Sequence, residues 1–215
     1  MDNLLTKFFR CLPARVFAAA VASSVAFAQQ APVSGLTPPP VPVNLQVPAG
    51  NIVFLKGQAQ GTQSYVCLSS PSGVSWTLFS PQATLFFNFE WIGRQNRQQI
   101  ITHFLSPNPN EGGTPRVTWQ STLDTSAVWA KPVQGSGDPD YVAADAVPWL
   151  LLQRVGSQRG PTGGEILAKT TYIQRLSTSG GVAPLTGCSQ PENLGSTALV
   201  PYTADYFFFK KRPGH

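Results

Sequence analysis

Residues 51–91 read NIVFLKGQAQGTQSYVCLSSPSGVSWTLFSPQATLFFNFEW, and this stretch decides the fold class. Its apolar residues fall into short or alternating runs, NIVFLKGQA, TQSYVCL, VSWTLFS and ATLFFNFEW, with no helical spacing among them. Such runs predict strands. The gaps carry Gly, Ser and Pro, which bend the chain or supply positive φ. The same pattern continues downstream in QQIITHFL, RVTWQS, SAVWAKP, PWLLLQRV, KTTYIQRLS and VPYTADYFFF. With 12% charged residues, 19 Gly and 20 Pro, the chain is expected to be all-β. A single-domain β-sandwich or partly closed barrel of about ten short strands fits this pattern. VPWLLLQRV is apolar without alternation and predicts a central strand, whereas KTTYIQRLS alternates and predicts one face in solvent.

The start of the chain predicts an export signal over residues 1–28. Lys7, Arg10 and Arg15 accompany the apolar VFAAAVASSVAFA, which ends in Ala26-Phe27-Ala28, a small-x-small cleavage pattern. The apolar run of residues 16–28 is too short to span a bilayer, and no later stretch is long enough. A secreted or periplasmic protein without a transmembrane segment is therefore expected, cleaved near Ala28. Residues 29–43 form a Pro-rich, extended lead-in, residues 44–210 the β domain, and residues 211–215 a basic tail. Removing the signal takes 15 basic residues to 12 and 10 acidic residues to 9, a net of +3. Lys210, Lys211 and Arg212 account for three of those positive charges, so the body is near neutral. No basic stripe interleaves with aromatics, which excludes nucleic acid as a partner. The same cleavage removes Cys11 and leaves Cys67 and Cys188, which an exported chain pairs as one disulfide. Closing a loop of about 120 residues, the bridge stabilises by roughly 4–5 kcal/mol and takes both thiols out of catalysis and metal binding.

GTQSYVC (61–67), SWTLFSPQATLF (75–86), ITHF (101–104), DTSAVWA (124–130), VPWLLLQ (147–153), TTYIQRLSTSGGVAPLTGC (170–188) and VPYTADYFFF (200–209) occur in that order. Over roughly residues 43–210 they resemble the family of secreted bacterial and fungal proteins catalogued as domain of unknown function 3455. The resemblance implies export, a β-rich single domain and a paired cysteine. It implies no activity, substrate or catalytic residue. NFEWIGRQNRQ and the SPNPNEGGTP loop read as local elaborations of the family pattern.

Chemistry has few residues to work with. His103 lies in IITHFL, where alternation puts Ile101, His103 and Leu105 on one face. A histidine among aliphatics is more often a hydrogen-bonded core residue than a catalyst. The catalytic reading is a Ser126-His103-Asp124 arrangement with His103 as base, set against plain turn capping by Asp124 and Ser126. No Gly-x-Ser-x-Gly elbow is present. Glu90 in FFNFEW is the candidate acid of a carboxylate pair. Asp138, Asp140 and Asp145 in GSGDPDYVAAD are the candidate calcium ligands, with spacing unlike an EF-hand. No cofactor is expected. The Gly-rich GSQRGPTGG lacks the Gly-Lys-Ser/Thr ending of a phosphate loop. Trp91 and Trp119 border polar loops and are the candidate sugar-stacking aromatics. In the closing YFFFKKRPGH, the basic residues act as solubilising gatekeepers for a Phe-rich strand. The leading expectation is a secreted, non-enzymatic surface or carbohydrate-interacting module, with a polysaccharide or another cell-surface component as partner. The alternative is a secreted hydrolase using His103 with Asp124, or a carboxylate pair including Glu90.

Overall fold

The four strands expected in residues 51–91 are two. In the computed structural model, which describes residues 36–71 and 73–214, β1 runs Asn51–Ser70 and β2 runs Gly73–Trp91. The expected export signal, the first part of the lead-in and His215 lie outside the described residues. The chain does not turn at Gly61, because that glycine meets a long-range need. A Cβ there would lie 2.0 Å from the Gln82 carbonyl oxygen and 2.5 Å from Ala83 Cα, so glycine lets β1 and β2 approach closely. Pro81 is likewise tolerated within β2, since pairing with β3 begins only at Ala83 and no second ladder needs its missing N–H there. A bulge at Ser64/Tyr65 bends the pair.

The remaining strands are β3 (Arg94–Asn108), β4 (Thr114–Ser121), β5 (Ala127–Ser136), β6 (Trp149–Gln158), β7 (Thr170–Gly180) and β8 (Thr197–Lys211). Each pairs antiparallel with its neighbour in sequence, and β8 returns to β1, so the all-β domain takes the barrel form of the two expected, closed by eight strands where about ten shorter ones were expected. Closure removes both sheet edges. Among the described residues no helix is long and apolar enough to cross a membrane.

Two apolar clusters follow from the alternation of side chains. Inside the barrel lie Leu85, Ile101, Trp119, Val128, Leu152, Ile173, Tyr206 and Phe208. Outside it, Leu45, Val142, Trp149, Leu151, Leu176, Phe207 and Phe209 form a second cluster, joined by Val41 and Val47. This explains why Trp149–Leu152 of β6 and Tyr206–Phe209 of β8 are apolar on both faces. It also corrects the expectation that β7 has a solvent face. Residues 41–47, the end of the lead-in and the start of the domain, and the 138–146 loop cover that side, and the Gln174 side-chain amide donates to the Leu45 carbonyl at 2.8 Å. The lead-in is thus docked against the barrel from Val41, with a single 3₁₀ turn at Val43–Leu45. Each large side chain buried this way stabilises by about 1.5–3 kcal/mol. The Cys67–Cys188 disulfide ties the end of β1 to the loop before β8.

Candidate functional site

His103 sits in β3, directly opposite Ala83 of β2 and Trp119 of β4, and is 3% exposed. Its Nδ1 lies 2.8 Å from the Thr118 carbonyl oxygen and donates to it, so the neutral ring carries its lone pair on Nε2. The ring stacks on Trp119 at 4.2 Å, and Tyr206 meets it edge-on at 5.3 Å. Burial pushes the His103 pKa down to about 3; the Thr118 carbonyl opposes the shift and the Arg175 charge reinforces it. A base this weak does not deprotonate a serine hydroxyl near neutral pH.

Asp124 and Ser126 meet each other, but their bonds go to backbone and not to His103. Asp124 Oδ1 accepts from the Ser126 hydroxyl at 2.7 Å and from its N–H at 3.1 Å. Asp124 Oδ2 accepts from Ile166 N–H at 2.8 Å, and Ser126 Oγ from Leu167 N–H at 3.0 Å. Burial raises the Asp124 pKa, but these hydrogen bonds outweigh it and hold the carboxyl below its ordinary value. Gly160 and Gly164 press against Asp124 so closely that a Cβ at Gly164 would lie 2.4 Å from the aspartate Cβ. The pair is a clamp that pins the Gly-rich 156–164 loop and residues 166–167 to the β4–β5 turn.

The calcium candidates Asp138, Asp140 and Asp145 are exposed, and the Asp138 carboxylate is spent on Asp140 N–H at 3.0 Å. Among the described residues no group of three or more His, Cys, Asp or Glu is placed to hold a metal ion. Trp119, expected to be partly exposed, is instead 1% exposed. Its polar neighbours Thr118 and Gln120 occupy the other face of β4, so alternation turns the indole inward.

Trp91 is different. The last residues of β2 and the first of β3 outrun the barrel: β1 pairs with β2 only as far as Phe86, and β4 with β3 only from Ile101. Residues 87–98 pair only with one another and project as a two-stranded arm. Its turn is Ile92-Gly93, with φ of 51° and 66°, the positive values a two-residue hairpin turn uses. Directly paired residues share a face, so Phe87, Phe89 and Trp91 lie beside Gln98, Asn96 and Arg94 respectively. The Phe87 and Phe89 rings are 6.1 Å apart and within 16° of parallel, and Trp91 is 66% exposed. The opposite face is occupied: Asn88 bonds Gln58, Arg97 lies 3.6 Å over Phe86, and Gln95 donates to Glu90 at 3.4 Å. Glu90 is the arm's one carboxylate, so no partner acid stands beside it there.

A second feature lies inside the barrel. Gln63, His103, Trp119, Leu152, Arg175 and Tyr206 line a cavity of about 120 Å³ inside the barrel. Arg175 pairs directly with Leu150 and Tyr206 and therefore points inward. Its place two residues from the inward Ile173 was the available signal.

Residues 48–210 match the model of a family described as "Protein of unknown function (DUF3455)". No curated protein and no solved structure is matched by this chain.

Proposed function

The chain belongs to the DUF3455 family, and from that starting point we propose that it is a non-enzymatic, exported surface module that binds carbohydrate through its aromatic arm. The observation that carries this reading is the face bearing Phe87, Phe89 and Trp91 with Gln98, Asn96 and Arg94 alongside. A sugar ring offers an apolar face to stack and equatorial hydroxyls to hydrogen-bond. The arm offers the exposed Trp91 and the near-parallel Phe87 and Phe89 rings for the first, and amide and guanidinium groups for the second. Export is supported by the basic-then-apolar start and by the Cys67–Cys188 bridge, which suits an oxidising compartment. A non-enzymatic role is supported by the fate of the reactive residue types. His103 is buried and neutral, Asp124 and Ser126 are bonded to backbone, and Glu90 stands alone on the arm.

The test is co-sedimentation of the purified protein with insoluble cell-wall polysaccharides, measuring bound protein and released sugar together. Binding without release is the expected result. Sugar release that disappears in a Glu90→Gln variant would overturn the non-enzymatic reading, and absence of binding to any polysaccharide would overturn the carbohydrate reading.

A further inference from the structure

The cavity inside the barrel carries a binding signature unrelated to the arm. Buried donors are almost always paired, because an unpaired one has lost its water without replacement. Three donors lining this cavity, Gln63 Nε2, Trp119 Nε1 and Arg175 Nε, are buried without a hydrogen-bond partner in the protein. All three are N–H groups, so the cavity calls for an acceptor.

Its charge points the same way. The described ion pairs are Lys56 with Asp205, Arg116 with Glu111, and Arg159 with Glu165, and none includes Arg175. One guanidinium nitrogen of Arg175 donates to the Pro148 carbonyl at 2.8 Å, a dipole and not a counter-charge. No carboxylate lines the cavity. An inward-pointing cation in a closed barrel, lacking an acidic partner, favours an anion beside it.

Val117, Leu150 and Leu152 supply the apolar part of the lining, and the stacked rings of His103 and Trp119 and the Tyr206 phenol complete it. The volume, about 120 Å³, is somewhat smaller than the roughly 150 Å³ cavity that accepts benzene. Leu78 and Pro132, both exposed, stand at the mouth and give the cavity a route to solvent. Eight-stranded barrels have an interior of the right width to hold one small ligand.

We propose that the barrel interior binds a small organic carboxylate, its anionic end received by Arg175 with Gln63 and Trp119 as further donors, its carbon body against Leu150 and Leu152. The test is titration of the ¹⁵N-labelled protein with propionate, propanamide, chloride and phosphate, following the Trp119 indole N–H resonance. Propionate is expected to shift that resonance saturably and to bind at least about tenfold more tightly than its neutral isostere propanamide, because only the anion uses the Arg175 charge. Arg175→Gln should abolish the preference and Arg175→Lys should keep part of it. The propionate and propanamide comparison needs no variant, so it decides the matter even if Arg175→Gln fails to fold. No saturable shift with propionate, or equal binding of propanamide, would overturn the site. Chloride or phosphate binding as tightly as propionate would overturn the assignment to organic carboxylates.

Discussion

Acidification should destabilise the barrel through His103. In the unfolded chain this imidazole titrates near 6.5, whereas in the folded barrel burial holds it to about 3. Between those values the unfolded state carries a proton that the folded state lacks, so stability rises with pH in that window. The contribution is fully present above pH 6.5 and is lost progressively as pH falls, levelling off near pH 3. Each pH unit in the window is worth about 1.4 kcal/mol. At pH 5, about 1.5 units below the unfolded value, the loss is therefore about 2 kcal/mol. Urea denaturation at pH 7, 6 and 5, run on the wild type and on His103→Phe, isolates this contribution. The variant keeps a ring against Trp119 but loses the bond to Thr118, so it should be less stable at pH 7. Its stability should nevertheless fall about 2 kcal/mol less than the wild type between pH 7 and pH 5. Identical pH dependence in the two proteins, or a His103 resonance titrating near 6.5, would refute the reasoning and return the imidazole to the list of usable bases.

Three other substitutions probe the frame that holds the arm and the cavity. Cys188→Ser should cost about 4–5 kcal/mol in chemical denaturation, because it releases a loop with a sequence separation of 121 residues. Gly61→Ala should destabilise by about 3 kcal/mol or more, since its Cβ collides with the β2 backbone and not with a movable side chain. Asp124→Ala should cost roughly 2–3 kcal/mol and raise hydrogen exchange at Ile166, whose N–H loses its acceptor. An Asp124→Ala protein of unchanged stability would contradict the clamp.

Much of the fold could be read because strand alternation is local. Ile101 and His103 share one face and both point into the barrel, and Trp149–Leu152 of the apolar VPWLLLQRV are covered on both faces. What escaped reading depends on partners far along the chain. Gly61 and Pro81 look like turn residues in isolation, yet one is required by Ala83 of the facing strand and the other is permitted by a missing ladder. Nothing in the sequence around Leu45 announces that it docks beneath Gln174. The polar neighbours of Trp119 resemble a loop signal, but they are the opposite face of the same strand, so the indole is buried. Arg175 escaped for the converse reason, since a charge is presumed to face water until its neighbours Ile173 and Tyr206 are seen to be core.

That the arm is the carbohydrate-binding element is tested most directly by a binding isotherm on insoluble cell-wall polysaccharide for the wild type and Trp91→Ala. Trp91 is two-thirds exposed, so the substitution should change stability by no more than about 0.5 kcal/mol. Affinity should fall about tenfold or more, a loss of at least about 1.4 kcal/mol. Undiminished affinity in a folded Trp91→Ala protein would contradict the arm's role and place polysaccharide binding elsewhere on the barrel.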